Sequence, residues 1–576
     1  MNTVSTQAEA SQAAPGRRRR LLVLAICSVS LLIVGLDATI VNVALPSIGR
    51  SFRSALSGLQ WTVDAYTLVL ASLLMLSGSA ADRFGRRRVF LTGLVLFSAG
   101  SLACALAPSL GLLVTFRALQ AIGGAMLSPS TMAIVRNTFT DPRERAQATG
   151  VFAAMFGISM ALGPVLGGFL VSAVSWRAVF VVNLPVGLAA IVLAARFVPE
   201  SLAPRPRRLD LAGQVLVIAA LAALTYAVIE GGRAGFGTAR IVILLAVAAG
   251  CLAGLVPCEL RRGDPLLEVR FFASAPFAGA SAIAVCLSAA LGGFLLMNTL
   301  YLQDVRGLPA LHAGLCMLPT AAMMIVFAPV SGHLTGRFGT RPAMCGGGLA
   351  VMASGLMLTG LAPQTPLPYL LGAYAVFGLG FALVSPPIAS TAVSGMPSSQ
   401  AGVASAVATT SRQVGLTLGV AVFGVVAGDS PGGQISIGFA HATRPGWWIV
   451  AALGLTVAAL GYLTTTGWAR GTARRTAEHL ENPGPSTQGR GDGSARRRPV
   501  GQGTGTAGRP LANSRTPAED IEGRRCLPAP RPKRHTANGH AAQPASSAAH
   551  AFRIPELPGD WPWCAIWPVA RGSRRC

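Results

Sequence analysis

The sequence predicts an all-α polytopic membrane protein, and three observations lead to this fold class. Of the 576 residues, 52% are hydrophobic and only 12% are charged. The apolar residues form many uncharged stretches of about 20 residues, which is the length that a helix needs to cross hydrocarbon about 30 Å thick. The arginines concentrate in alternate connections between these stretches. This pattern excludes a soluble enzyme, a disulfide-stabilised scaffold and a secreted factor.

Fourteen apolar segments follow one another along the chain, and each is long enough for one transmembrane helix. The first segment follows Arg17–Arg20. It is too long for the apolar core of a signal peptide and lacks a small-residue cleavage site, so we predict a retained helix. The predicted segments are 21–46, 57–80, 88–107, 111–135, 146–171, 177–198, 211–230, 239–258, 275–302, 311–333, 341–362, 366–391, 402–427 and 445–467.

The distribution of arginine predicts the orientation in the membrane. Connections on the side of the N-terminus carry 20 arginines, whereas those on the other side carry seven. Because positively charged loops stay in the cytoplasm, we predict that both termini are cytoplasmic. Lys533 is the single lysine among 47 basic residues, and little lysine with much Arg, Ala and Gly is typical of a GC-rich genome. We therefore predict a multi-pass protein of a bacterial plasma membrane.

A frame of glycine and arginine occurs twice in the sequence and indicates an internal repeat. The first copy is Gly78, Asp82, Arg83, Phe84, Gly85 and Arg87, and the second, 254 residues later, is Gly332, Gly336, Arg337, Phe338, Gly339 and Arg341. This repeat predicts two similar six-helix halves separated by an inserted pair, helices 7 and 8. The predicted parts are a cytoplasmic N-terminal segment (1–20), an N-terminal half (21–198), a linker with the inserted pair and the loop after it (199–274), a C-terminal half (275–468) and a tail (469–576).

The tail, 469–576, is predicted to be disordered and cytoplasmic because it is rich in Arg, Pro, Gly, Ser and Ala and has no hydrophobic periodicity. Most of the remaining positive charge lies in short loops that set orientation, so no nucleic acid partner is expected. Lys533 lies outside any Gly-x-x-x-x-Gly frame, so ATP is not expected as an energy source. The ten cysteines and seven histidines lack metal-ligand spacing, and no metal or cofactor is predicted.

Five sequence motifs occur in order between residues 31 and 187. They are Leu36–Pro46 at the end of helix 1; Gly78–Arg88 after helix 2; Arg117, Gln120, Gly123 and Gly124 in helix 4; Gly157, Gly163, Pro164, Gly167 and Gly168 in helix 5; and Trp176, Arg177, Phe180, Asn183 and Pro185 in helix 6. Together they resemble the major facilitator superfamily, and specifically its branch of 14-helix drug:proton antiporters. The resemblance extends to about residue 468. It implies the major facilitator fold and a role in efflux of drugs or antibiotics.

The loop after helix 2 predicts a conformational latch. Its residues are Gly78, Asp82, Arg83, Gly85, Arg86 and Arg87. A glycine-broken turn that holds an acid among cationic neighbours can pair with helix ends and with nearby basic groups. The alternative is that the arginines only set topology. In the second copy Gly336 replaces the acid, so we expect a weaker latch there.

The glycines of helix 5 allow close packing, and Pro164 allows a bend. From spacing alone, Gly157, Gly163, Gly167 and Gly168 are more typical of ordinary helix packing. The resemblance implies more, because in the family this motif marks exporters and lies between the two halves.

Two acids lie inside predicted spans, and they are the strongest candidates for proton coupling. At about 1.5 Å per residue, Asp37, Asp64 and Arg117 fall in one layer of the outer half of the membrane. Charged groups at this depth face a cavity or each other. The alternatives are a static Asp37–Arg117 pair and a solvated Asp64. The resemblance associates an acid at the position of Asp64 with cationic substrates.

Further candidates for substrate binding are Arg412 and Gln413 in helix 13, which could meet an anionic group, and the aromatic residues Trp61, Tyr66 and Phe156, which could stack on a planar drug. The second half of the chain has no acid inside a predicted span that could pair with Arg412. Aromatic residues near helix ends also serve as interface anchors.

The leading hypothesis is a monomeric, proton-coupled exporter of amphipathic drugs or antibiotics, with an alternating-access cavity between the halves. It would confer antibiotic resistance or export a secondary metabolite. One alternative is a proton-coupled uptake carrier of the same fold, which the helix 5 pattern disfavours. A polytopic membrane enzyme is a remote alternative, since the histidines are scattered and form no reactive cluster.

Overall fold

The computed structural model describes residues 17–202, 210–262, 268–394, 396, 401–428 and 443–481, which all belong to the first of two compact units, Met1–Gly493. These residues form helices and contain no β-strand. The helices are α1 (Arg17–Phe52), α2 (Leu56–Phe84), α3 (Arg86–Leu106), α4 (Leu110–Thr138), α5 (Pro142–Ala173), α6 (Ala178–Val181), α7 (Asn183–Phe197), α8 (Leu211–Ala234), α9 (Ala239–Leu260), α10 (Ala275–Leu300), α11 (Ala310–Cys316), α12 (Leu318–Phe338), α13 (Thr340–Leu358), α14 (Leu367–Val393), α15 (Ala401–Gly428), α16 (Arg444–Leu463) and α17 (Gly467–Glu481). A 3-10 helix, Val269–Ala273, precedes α10, and a π-helical turn, Tyr301–Val305, extends it.

The prediction of an all-α membrane protein is confirmed. Within the described ranges, 13 helical segments are long and apolar enough to cross a membrane. They correspond to the predicted segments except the eleventh. Three of the spans consist of two elements each: α6 with α7, α10 with the π-helical turn, and α11 with α12. The eleventh segment is α13, a 19-residue helix that packs against α14 and α16. Arg341 and a run of three glycines, Gly346–Gly348, lower its hydropathy.

Buried polar side chains join helices inside each half of the bundle. In the second half, Tyr374 of α14 donates a hydrogen bond to Asn298 Oδ1 of α10 at 2.6 Å, and Thr320 of α12 donates to the Tyr374 carbonyl at 3.0 Å. In the first half, Ser101 of α3 donates to the Phe180 carbonyl of α6 at 3.0 Å. Such bonds stabilise helix packing in lipid, where water offers no competing partner. Each half is therefore held by its own polar contacts as well as by apolar packing.

The two halves are joined at the outer side, which we define as the side opposite the start of α1. Gln303 of the π-helical turn donates to the Val43 carbonyl of α1 at 2.9 Å. Gln60 of α2 donates to the Ala421 carbonyl of α15 at 3.0 Å. The Leu311 amide of α11 donates to Ser172 Oγ of α5 at 3.3 Å. The structure therefore represents a conformation in which the outer ends of the halves are in contact.

Helix α17 differs from the predicted tail. Residues 469–481, which we expected to be disordered with the rest of 469–576, continue a helix that begins at Gly467. Ala469, Ala473 and Thr476 recur at helical spacing and are buried, and Thr472 Oγ accepts a hydrogen bond from the Ala275 amide at the start of α10. Small residues on one face thus allow docking that the charged composition concealed. Residues 482–576 lie outside the described residues.

Candidate functional site

Asp37 of α1 and Arg117 of α4 form a fully buried salt bridge. Asp37 Oδ2 and Arg117 Nη1 are 2.5 Å apart, and the two side chains are 0% and 1% exposed. The sequence placed both residues in one layer of the membrane, and the structure brings them into contact. The pair lies inside the first half of the bundle rather than in an exposed cavity.

Three further polar side chains complete the site around Asp37. Gln120 of α4 donates to Asp37 Oδ1 at 2.9 Å and accepts a bond from Arg117 Nη1 at 2.7 Å. Asn183, the first residue of α7, also donates to Asp37 Oδ1, at 3.0 Å. Ser101 Oγ accepts bonds from Gln120 at 3.2 Å and from Asn183 at 3.0 Å. Helices α1, α4 and α7 thus meet at one carboxylate, and α3 joins them through Ser101.

The guanidinium of Arg117 is surrounded on its remaining sides. Its Nε donates to the Thr62 carbonyl of α2 at 3.2 Å. The Tyr66 ring lies 4.2 Å and the Phe180 ring 5.7 Å from its central carbon. Tyr66, which we expected to stack on a drug, is 1% exposed and packs against Arg117 instead. An aromatic face stabilises a desolvated guanidinium, so Tyr66 acts as part of this buried site.

The energetics of this site favour the intact network. Removing two charges from water costs several kcal/mol per ion, and their attraction offsets this only when the geometry is good and the remaining polar atoms are bonded. Here the carboxylate receives bonds from Arg117, Gln120 and Asn183, and Arg117 bonds a backbone carbonyl as well. Arginine stays protonated, so Arg117 keeps its positive charge beside Asp37.

Asp64 of α2 has a different environment. Its side chain is 0% exposed, and among the described residues the hydroxyl of Thr67 is the one neighbouring side-chain donor, without reaching hydrogen-bond geometry to either carboxylate oxygen. Gln60 lies one turn earlier on the same helix face and bonds to α15, so Asp64 also lies on the side of α2 that faces α15. A buried carboxylate without donors is costly, and a proton or a cation would neutralise it.

Two of the other predicted substrate residues, Trp61 and Arg412, contact different helices. The Trp61 ring packs against Tyr226 of α8, with ring centroids 5.7 Å apart. Arg412 donates to Ser385 Oγ of α14 at 3.2 Å, which supplies a partner that the sequence did not indicate. The neighbouring Gln413 is half-buried on α15. The side chain of Phe156 lies outside the described residues.

The glycine motif of α5 makes close contacts on two sides of the helix. Gly163 packs against Thr39 of α1, where an added Cβ would lie 1.9 Å from Thr39 Oγ1, and Gly167 packs against Ile40. Gly168 approaches the Ala310 carbonyl of α11, where a Cβ would lie 2.4 Å away, and Pro164 lies against Gly314. Any larger residue at 163 or 168 would have to displace its neighbour. The motif thus lies against α1 on one side and against the second half on the other, and Gly157 makes only ordinary contact with Ile325.

The loop after α2 is held by acids on both sides. Asp82 Oδ1 accepts bonds from Arg86 at 2.9 and 3.2 Å, and Gly85 has a φ of 104°, which favours glycine. Glu200, which sequence reasoning did not include, accepts a bond from the Arg87 amide at 3.1 Å and lies 3.7 Å from Arg88 Nε. In this conformation the loop is fastened to the chain after α7, within the first half. Gly78 and Arg83 lie on the last turns of α2.

The helical spans and the buried ionisable residues define a membrane transporter. Among the described residues no group of three or more His, Cys, Asp or Glu side chains could hold a metal ion. The family profile of the Major Facilitator Superfamily matches residues 27–420, and the chain belongs to this family of transporters, which are not enzymes.

Relatives and solved structures agree with this assignment. The chain is 39% identical over 409 residues to the multidrug resistance protein Stp of Mycobacterium tuberculosis, covering 71% of this chain and 76% of that protein. It is 35% identical to the tetracenomycin C resistance and export protein of Streptomyces glaucescens, covering 73% and 78% of the two chains. A bacterial homologue of the human lysosomal transporter Spinster, solved in an inward-facing and unoccupied conformation, aligns with a TM-score of 0.57 at 17% identity and covers 80% of this chain and 99% of that one. The last similarity concerns the fold alone.

Proposed function

We propose that this protein exports amphipathic, often cationic drugs or antibiotics in exchange for protons. Relatives that are 39% and 35% identical to it over the aligned residues are named for multidrug resistance and for antibiotic resistance and export. The observation that carries the proton step is the presence of two carboxylates, Asp37 and Asp64, that are 0% exposed inside membrane-spanning helices. Such residues are expensive in a bilayer and mark ion and proton pathways.

The two acids differ in a way that suits exchange. Asp37 receives three side-chain donors, so its charge is balanced inside the first half. Asp64 has no well-formed donor among the described residues and faces the second half, so it gains most from a proton or a cationic drug. In our proposal a drug enters from the cytoplasm or inner leaflet, the halves alternate, and external protons displace the drug at the outer side. Arg412, Gln413, Trp61 and Phe156 are proposed to shape the drug site.

The loop after α2 and the motif of α5 are proposed to control the alternation. The pairs Asp82–Arg86 and Glu200–Arg88 fasten the loop at the cytoplasmic ends of α2 and α3. The motif of α5 places Gly168 and Pro164 against α11 of the other half, so the outer ends of the halves close tightly. We further propose a monomer in a bacterial plasma membrane. Both termini are proposed to lie in the cytoplasm, because the side on which α1 starts carries the excess of arginine.

Export of an antibiotic is favoured over uptake of a metabolite. The supporting observation is that, among the described buried residues, apolar side chains outnumber polar ones. A carrier for a polar metabolite would need convergent polar groups at its site. The named functions of the relatives point in the same direction.

Dissipation of the proton gradient tests the energy source directly. We expect drug export from cells to stop when an uncoupler is added while the ATP level is kept high, because the driving force is the proton gradient. The measurement is the rate of loss of a preloaded fluorescent cationic drug, with cells that lack the protein as the control. Efflux that continues under these conditions would contradict the proposal.

Truncation tests the boundary of the working transporter. A chain that ends after Glu481 keeps α17 and its bond to the start of α10, so we expect export within twofold of the full chain. A chain that ends at Thr466 loses that contact and should be less stable. Both are measured as export at equal amounts in the membrane and as thermal stability in detergent. A severe loss of export in the chain that ends after Glu481 would assign a role to residues 482–576.

A further inference from the structure

The inserted helix α8 lies along the line where the two halves meet. It packs against α2 of the first half and against α15 of the second, and its other side carries α9. Its contacts begin at Gln214 and continue to Gly232. At about 1.5 Å per residue these positions are roughly 27 Å apart, which is most of the thickness of the hydrocarbon layer. We call this line of contact the α2–α15 seam.

The attachment of α8 to α2 is directional. Gln214 is 3% exposed, and its amide donates to the Ser72 carbonyl of α2 at 2.7 Å. Nearer the outer side, the Tyr226 ring packs on Trp61 of α2. A hydrogen bond buried in lipid has no water to replace it, so it resists displacement. These contacts hold α8 in one register on α2.

The attachment of α8 to α15 is of another kind. At Gly232 the α8 backbone lies against the side chain of Val425, where a Cβ would be 2.4 Å from Val425 Cγ1. A glycine surface against a branched apolar side chain is smooth and makes dispersion contacts without directional bonds. Such a contact can shift by small steps at little cost.

From this asymmetry we propose that α8 is a fixed part of the first half and forms a sliding cover over the α2–α15 seam. The cover lies beside Asp64, which is on the side of α2 that faces α15. When the halves alternate, α8 moves with α2 and slides on α15. The cover thereby keeps lipid out of the seam in both states. Protons and drug reach Asp64 from the space between the halves.

The outer helix of the pair fits this role. α9 exposes Val242, Ile243, Val247, Leu252 and Val256, each more than 40% accessible, which suits contact with lipid. Its main packing partner is α8. The α8–α9 pair is thus joined to the bundle through α8, and the register of α8 determines the half with which the pair moves.

Reversible crosslinking tests the proposal. All ten cysteines are first replaced, and two pairs are then introduced, Ser72→Cys with Gln214→Cys for the α8–α2 contact and Gly232→Cys with Val425→Cys for the α8–α15 contact. A short bifunctional thiosulfonate reagent links each pair, and a reductant releases it. The four single-cysteine variants are the matched controls. We expect export within twofold of the controls for the linked α8–α2 pair and at least a tenfold loss for the linked α8–α15 pair, with recovery after reduction.

A second readout does not depend on export. The inference rests on the proposed alternation of the halves, so the yield of each crosslink is also measured in vesicles at neutral and at acidic external pH, with and without tetraphenylphosphonium as a cationic probe. We expect a constant yield for the α8–α2 pair and a yield that changes with conditions for the α8–α15 pair. The reverse pattern would assign α8 to the second half, and constant yields for both pairs in an exporting protein would exclude sliding. If the unmodified protein exports nothing, the proposed function fails while the two yields still report the attachment of α8.

Discussion

Replacement of Asp37 by Asn should abolish export of every substrate, whatever its charge. Asn keeps the size of the side chain and can still accept a hydrogen bond, but it cannot exchange a proton. Arg117 would then lie fully buried without its counter-charge. Breaking a buried pair by removal of one partner typically costs about 3–5 kcal/mol, so a loss of stability will accompany the loss of coupling. We expect export at least 100-fold below that of the unmodified protein.

Stability and coupling can be separated with a double variant. Asp37→Asn combined with Arg117→Gln removes the unpaired charge, so its melting temperature should recover toward that of the unmodified protein while export stays absent. Ser101→Ala is the matched control, because Ser101 contacts Gln120 and Asn183 but not Asp37 itself. It should keep most of the export activity.

The measurements are drug-driven proton movement in proteoliposomes and melting temperature, both at equal protein amounts. Near-normal exchange by Asp37→Asn would remove Asp37 from the proton pathway. Recovery of export in the double variant would show that the single variant failed only through the unpaired Arg117. Loss of exchange in Ser101→Ala with an unchanged melting temperature would extend the coupling site to the surrounding network.

The contact between Asp37 and Arg117 could be anticipated from the sequence because helices are regular. Counting residues from the membrane border gives depth, and two opposite charges at one depth in a bilayer are expected to meet. The same count placed Asp64 in this layer, and the structure buries it there. Depth does not give rotation about the helix axis. The sequence therefore could not tell that Asp37 faces a closed network whereas Asp64 faces α15.

Partners that are distant along the chain could not be anticipated. Asn183 is 146 residues from Asp37, and Glu200 is 113 residues from Arg87. Their contacts depend on how α7 packs against α1 and α3, which a hydrophobic pattern does not specify. Gln120 was within reach, since it follows Arg117 by three residues and shares its helix face. Tyr66 was predicted to stack on a drug, whereas it packs against Arg117. The sequence could not distinguish the two, because an aromatic ring stabilises a cation inside the protein as well as a drug.

The second large effect is expected at Asp64, and it should depend on the charge of the substrate. A buried carboxylate without hydrogen-bond donors attracts a nearby cation by roughly 1–3 kcal/mol when it is partly desolvated. Loss of this attraction corresponds to about 5- to 150-fold in binding. A divalent drug should lose the most, a monovalent drug less, and a neutral drug about nothing. Asp64→Asn keeps the volume of the side chain, so packing against α15 should change little.

The measurement is export of chloramphenicol, tetraphenylphosphonium and dequalinium, which are neutral, monovalent and divalent probes, at matched membrane expression. Ser72→Ala is a suitable control, since Ser72 lies two turns after Asp64 on α2 and its hydroxyl bonds the Leu68 main-chain carbonyl, so the change removes a buried hydroxyl from the same helix without changing the charge. We expect the control variant to export the three probes to the same extent relative to the unmodified protein. We expect Asp64→Asn to lose export in the order of probe charge. Equal loss for all three probes in Asp64→Asn would instead move this residue into the proton pathway beside Asp37. A graded loss would assign Asp64 to the attraction of cationic drugs and leave the proton step, which every substrate shares, to Asp37.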